Sequence, residues 1–207
     1  MKTSKRNTIF DDTFRTLIEK MPNLVIPFVN EVFGTKYPED AEVVRLDSTN
    51  YRTYRKIISD ARLRIEDKIY HIECQSTNPK EMVIRMFEYD VACALDQILL
   101  TEDIQELKFP QSCVLYLRNT GPEELKLRID FGNGTTILYR VPCVYEQNFS
   151  KEEIFTKNLL LLLPFYMLRF ESQLERNEPF TEDFYNEVLF ISNALNDLAK
   201  VNKETGK

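Results

Sequence analysis

Hydrophobic positions along the chain change period several times, and each change marks an element. Phe14, Leu17, Ile18 and Met21 fall on one side of a 3.6-residue repeat. That spacing predicts a helix capped by Asp11 or Asp12, with a break at Pro22 and a fresh start that runs to Gly34. Residues 42–47 read as a strand. In residues 56–65, Ile57, Ser59, Ala61, Leu63 and Ile65 alternate with Ile58, Asp60, Arg62 and Arg64, and in residues 69–75, Tyr70, Ile72 and Cys74 alternate with His71, Glu73 and Gln75. A period of two predicts two strands, each with one apolar and one polar face, joined around Glu66-Asp67-Lys68.

From Lys80 to about Leu99 the pattern is helical again, with Met82, Val83, Met86, Phe87, Ala94, Leu95 and Ile98 on one side and Glu81, Arg85 and Glu88 on another. Cys113 to Leu117 is a short apolar strand, and residues 125–131 and 135–145 form a second hairpin across Gly132-Asn133-Gly134. The remainder is helical: one segment from Ser150 to about Leu174, bent or broken at Pro164, and another capped by Thr181. The order α-β-β-β-α-β, then a hairpin, then helices predicts an α/β fold with a mixed sheet flanked by helices, in a single domain over residues 1–207.

Composition narrows the classes. The chain is 43% hydrophobic and 29% charged, enough apolar residues to fill a core rather than stay disordered. The net charge of −6 counts against a protein that coats nucleic acid by bulk electrostatics, while leaving room for a local basic patch. Cys74, Cys93, Cys113 and Cys143 stand far apart without a CxxC pair, so buried reduced thiols are expected rather than a zinc site or a disulfide framework. The basic start runs into Ile9-Phe10-Asp11-Asp12 instead of a signal peptide's apolar stretch. The apolar run from Leu159 to Leu168 contains Pro164 and is about half the roughly 20 residues of a membrane span, so it reads as core or as a contact in a homodimer. A cytoplasmic protein without membrane association is expected.

The first hairpin carries the candidate chemistry. If Asp67-Lys68 forms the turn, Ile65 pairs with Tyr70, Leu63 with Ile72 and Ala61 with Cys74, and apolar meets apolar throughout. Arg62 then faces Glu73 and Asp60 faces Gln75, with Asp60 and Glu73 diagonal neighbours roughly 7–8 Å apart on one face. Two carboxylates so placed suit a hard cation such as magnesium, whose remaining positions go to water and phosphate. Such an ion activates water and neutralises charge on phosphoryl oxygens. The plainer arrangement is a cross-strand Arg62–Glu73 ion pair beside a solvated Asp60. His71, the one histidine, lacks the accompanying signature of a nucleophilic triad and is expected to line the carboxylate face.

Three strings, Ser59-Asp60-Ala61-Arg62-Leu63-Arg64-Ile65, Tyr70-His71-Ile72-Glu73-Cys74-Gln75-Ser76 and Met82-Val83-Ile84-Arg85-Met86-Phe87-Glu88-Tyr89, resemble the PD-(D/E)xK nucleases. Among them the chain looks most like the recombination-promoting nuclease and transposase (Rpn-like) group, as do Asp11-Asp12-Thr13-Phe14-Arg15 and Asn30-Glu31-Val32-Phe33-Gly34. The likeness implies a restriction-endonuclease-like core over residues 9–118, with residues 119–207 adding a hairpin and C-terminal helices. It implies that Asp60 and Glu73 are metal ligands for magnesium or manganese and that DNA is the substrate. Gln75 stands at the motif lysine, as it does in many members of this group, where a neutral amide replaces an ammonium.

The same resemblance makes Arg85 and Tyr89 a polar pair that holds the site or contacts phosphate. It also suggests a further carboxylate from the first helix, Glu19 ahead of Glu31. Lys56, Arg62, Arg64, Lys80 and Arg85 spread over the hairpin and the following helix, where they suit phosphate contacts near the site, Arg62 and Lys80 foremost, or else form a solvated rim. The expected activity is metal-dependent DNA cleavage. The alternatives are a catalytically silent module that binds DNA or a protein partner, and an oligomerisation module.

Overall fold

The structure, a computed structural model, describes residues 4–46, 49–50, 57–58, 60–77, 79–97, 99–100, 105–118, 120–170 and 180–205. In chain order the strands are β1 (Val43–Arg45), β2 (Thr49–Asn50), β3 (Ile57–Ile58), β4 (Ala61–Ile65), β5 (Lys68–Gln75), β6 (Leu99–Leu100), β7 (Gln105–Glu106), β8 (Gln111–Tyr116), β9 (Glu124–Asp130) and β10 (Thr136–Tyr145). The helices are α1 (Ser4–Lys20), α2 (Val25–Phe33), α3 (Met82–Leu95), α4 (Lys151–Thr156), α5 (Leu163–Tyr166) and α6 (Glu182–Thr205). The chain divides into two compact units, residues 1–148 and 149–207.

The first unit is built on a six-stranded mixed sheet in the order β1-β4-β5-β8-β10-β9, with β2-β3 and β6-β7 as small two-stranded ladders. β1, β4 and β5 run antiparallel, α3 crosses over to β8 parallel to β5, and β10 lies parallel to β8 through Cys143–Tyr145. The α-β-β-β-α-β order read from the sequence is therefore that of the main sheet. The hairpin of β9 and β10, expected as an addition after residue 118, completes this sheet rather than standing outside it.

α1 begins at Ser4, so Asp11 and Asp12 lie inside the helix and not at its cap; Lys5 to Phe10 contain neither proline nor glycine, and nothing stops propagation toward the N-terminus. Pro22 opens a short 3₁₀ turn, and α2 ends at Gly34, whose left-handed φ of 65° closes it. The side chains of Phe14, Ile18, Val25, Ile26, Phe28 and Val29 are buried, and the Phe33 ring packs on Tyr70 at 5.2 Å. This layer lies on the sheet face of Tyr70, Ile72 and Cys74. The opposite face carries His71, Glu73, Ser112, Val114 and Tyr116, and α3 covers it with Met82 and Met86 in a core shared with Val141 and Tyr145.

In the second unit Ser150 caps α4 with a capping box: its Oγ accepts from the Glu153 backbone N–H, and Glu153 Oε2 accepts from the Ser150 N–H. The helical segment expected from Ser150 onward, bent or broken at Pro164, is over the described residues a series of short pieces. Asn158 takes a left-handed φ of 56° and ends the α4 segment, and Pro164 sits at the start of α5 rather than within a helix. Lys151 pairs with Glu187 of α6 at 2.8 Å, and Phe155 meets Phe190 edge to face. Among the described residues no helix is long and apolar enough to cross a membrane. The four cysteines are free thiols, and Cys74, Cys93 and Cys113 are buried.

Candidate functional site

The register of the first hairpin differs from the expected one by two residues. Ile65 faces Lys68, Leu63 faces Tyr70, Arg62 faces His71 and Ala61 faces Ile72, so the turn is Glu66-Asp67, with Glu66 at a left-handed φ of 54°. A shift of two preserves the faces, because side chains alternate with period two. It also carries Asp60 from a diagonal position to the position opposite Glu73.

Asp60 itself is a bend before β4, so the expected strand over residues 56–65 is interrupted there. The bend has a local cause. The Asp60 backbone N–H donates to Glu73 Oε1 at 3.2 Å rather than to the ladder, and Asp60 Oδ2 accepts the Cys74 backbone N–H at 3.0 Å. The two acidic residues thus hold each other's strand ends, and both side chains are almost wholly buried, 3% exposed for Asp60 and 1% for Glu73.

Two buried carboxylates demand compensation. Arg15 of α1 donates to Asp60 Oδ1 from Nε at 2.9 Å and from Nη2 at 2.6 Å. Arg85 of α3 brings Nη2 within 3.5 Å of Glu73 Oε2, and Gln75 Nε2 donates to the same oxygen at 3.5 Å. Arg85 also donates to the Tyr89 hydroxyl at 3.4 Å, with its guanidinium 5.7 Å from the centre of that ring. Burial first, and then the negative charge of Glu73, push the Asp60 carboxyl up to about 7 against the downward pull of Arg15.

Behind Glu73 lies a second polar group. His71 Nε2 is 3.2 Å from Glu73 Oε1, and its Nδ1 is 2.7 Å from Asp90 Oδ1. Asp90 also accepts from Ser112 Oγ at 2.8 Å and from the Tyr139 hydroxyl at 2.5 Å. Burial alone draws the His71 imidazole down, but its hydrogen bonds to Asp90 and Glu73 and their charges outweigh this and raise it to about 9.

The structure brings Asp60, Glu73, Gln75, Arg85 and Tyr89 together and sets the other sequence candidates apart. Arg62 faces His71, not Glu73; it is buried, and both terminal nitrogens donate to Asp96 at 3.3 Å. It is therefore neither the ion-pair partner of Glu73 nor displayed for a phosphate. Lys80 is exposed on the turn before α3. Glu19 is 54% exposed beside Lys20, and Glu31 is exposed on α2. From α1 it is the cation Arg15, and not a carboxylate, that reaches Asp60. The Lys56 candidate lies outside the described residues.

Arg15, Asp90, Ser112 and Tyr139 were not singled out by sequence. Asp90 left a trace: it falls four residues after Met86 and eight after Met82, so it interrupts the buried stripe of α3 with a charge that must find partners. Nothing in the spacing of Ser112 or Tyr139 links either to Asp90, because strand pairing alone brings them there.

Fitness for a divalent ion is decided by the donors. Asp60 Oδ1 and Glu73 Oε2 are the two oxygens held by side-chain cations or an amide rather than by backbone or His71. Both are hard ligands, and burial first and then the Glu73 charge raise Asp60, which a bound cation would counter. Among the described residues no group of three or more His, Cys, Asp or Glu side chains forms a metal cage. Two carboxylates are a sufficient protein share for magnesium, which keeps several waters and takes phosphate oxygens. Comparison with protein-family models, curated proteins and solved structures finds no match for this chain.

Proposed function

We propose that this protein is a metal-dependent phosphodiesterase acting on DNA, with a restriction-endonuclease-like core formed by α1, β1, β4, β5, α3 and β8. The observation that carries this reading is the pair of buried carboxylates, Asp60 and Glu73, joined by a 3.2 Å hydrogen bond from the Asp60 N–H and flanked by the cations Arg15 and Arg85. A magnesium or manganese ion, when bound, supplies Lewis acidity to an attacking water and to the phosphoryl oxygens.

The chain's own groups do the rest. Asp60 Oδ1 and Glu73 Oε2 would hold the ion, with Arg15 giving up its pair with Asp60. Arg15, 42% exposed, would then turn to a phosphate. Arg85, 39% exposed and steadied by Tyr89, presents positive charge beside Glu73, where it stabilises developing negative charge on a phosphoryl group. Gln75 orients water or phosphate by hydrogen bonding, the share of the motif lysine's work that an amide can do.

The test is plasmid nicking with and without magnesium, comparing wild type with Asp60→Ala and Glu73→Ala. Metal-dependent cutting lost in both variants is the expected result. A second reading, a silent nuclease-like module that binds DNA, is favoured by the ion pairs that already engage both carboxylates and by the neutral Gln75. It predicts no cutting by wild type and DNA binding that falls steeply with salt, because phosphate contacts release counterions.

A further inference from the structure

We propose that Tyr139, Asp90 and His71 form a positioning chain that fixes the Glu73 carboxylate so that Oε2, and not Oε1, is its metal-binding oxygen. The inference rests on the metal reading above and deepens it by assigning a part of the site to the β9–β10 hairpin.

The geometry runs in one direction. Tyr139 lies on β10 opposite Leu127 and belongs to the hairpin that the resemblance over residues 9–118 leaves out. Its hydroxyl donates to Asp90 Oδ2 at 2.5 Å, and Ser112 Oγ donates to Oδ1 at 2.8 Å. Asp90 Oδ1 lies 2.7 Å from His71 Nδ1. This contact fixes the ring's orientation and turns Nε2 toward Glu73 Oε1 at 3.2 Å. Oε1 also accepts the Asp60 N–H at 3.2 Å. With Oε1 held twice, the carboxylate cannot swing, and Oε2 is left facing Gln75 and Arg85.

His71, Asp90 and Glu73 are each about 1% exposed, so the chain works inside packed protein rather than through mobile surface groups. A glutamate held in its liganding rotamer binds an ion without first losing side-chain freedom, and groups that orient a ligand from behind are worth about 10–100-fold in metal affinity.

Two readouts on the full-length chain separate this inference from the reading beneath it. The first is manganese affinity, measured by electron paramagnetic resonance of the free ion. His71→Gln should weaken it by about 10–100-fold, and Tyr139→Phe and Ser112→Ala by about 10-fold, the lower end of that range. Tyr145→Phe, on the same strand, loses a different bond, from its hydroxyl to the Pro122 carbonyl at 2.9 Å, and should leave the affinity at the wild-type value. The second is the ring nitrogen resonances of His71 without metal, free of overlap because the chain has one histidine. Tyr139→Phe and Glu73→Gln should shift them and Tyr145→Phe should not.

Equal manganese affinities in Tyr139→Phe and Tyr145→Phe, or ring signals indifferent to Tyr139→Phe, would overturn the positioning chain. Wild type that takes up no manganese while its ring signals respond would overturn the metal reading, and with it the role given to Oε2.

Discussion

Replacing Asp60 with asparagine should strengthen the metal-free protein at alkaline pH and weaken it at acid pH. In the folded chain burial and the Glu73 charge lift the Asp60 carboxyl from 3.8 to about 7. Between those two values the unfolded chain has lost its proton and the folded chain retains it. Folding therefore takes up a proton, and stability falls as pH rises, levelling above about 7. The interval spans roughly three pH units at about 1.4 kcal/mol each, which sets a ceiling of about 4 kcal/mol. The side chain is only 3% exposed, so solvent screening does little to reduce it.

Asparagine carries no charge to bury, but its amide group must face either the Arg15 guanidinium or the Cys74 N–H, donor against donor, at a cost of about 1–3 kcal/mol. Near pH 4 that loss stands alone and the variant is the weaker protein. Near pH 8 the avoided charge exceeds it, and the variant is the stronger by about 1–3 kcal/mol. The assay is urea unfolding in EDTA at the two pH values, followed by far-ultraviolet circular dichroism and compared at equal slope. Manganese should then narrow the gap at pH 8, because only wild type gains the free energy of ion binding. A difference of the same sign and size at both pH values would refute the account of Asp60 as a carboxylate held at a cost beside Glu73.

Two further outcomes follow from groups outside that pair. His71 is raised from 6.5 to about 9, so its contribution to stability is complete below pH 6.5 and is lost as pH rises to about 9; in urea titrations over this window the loss should shrink in Asp90→Asn, which removes one of the two charges that raise it. Ser150→Ala breaks the capping box at the start of α4, leaving the Glu153 N–H without its cap, and should cost about 1 kcal/mol of second-unit stability, read from hydrogen exchange of the α4 amides.

The alternation in β4 and β5 was legible because period two survives any even shift of register. The expected turn at Asp67-Lys68 and the observed one at Glu66-Asp67 put the same residues on the same faces, and Asp60 and Glu73 were seen to share one. The turn itself was not legible. Glu66 holds a left-handed φ, and glutamate, unlike glycine or asparagine, gives no sign of that conformation in a sequence. The bend at Asp60 was hidden for a different reason: its N–H goes to a side chain of the neighbouring strand, and local pattern reports only what a backbone does within its own run. Asn158 is of a type that does tolerate that conformation, and its left-handed φ divides the expected helix into short segments.

The polar face of the hairpin was read as one that receives ligand, yet α3 covers most of it. A helix that buries a face bearing His71 and Glu73 should be apolar there, and at Met82 and Met86 it is. At the next turn it carries Asp90, and the surrounding strands supply Ser112 and Tyr139 to meet it. An apolar residue at position 90 would need neither donor, but it would leave His71 Nδ1 without an acceptor and the ring free to turn away from Glu73. A hydrophobic cluster of the same volume is commonly as stable as a buried ionic one. The polar chain is therefore poorly explained as a stabilising device and well explained as a means of fixing one oxygen of one glutamate. Its open end lies at the C-terminal end of β5, where Oε2 meets Arg85 and Gln75, the half-exposed groups that a phosphate would reach.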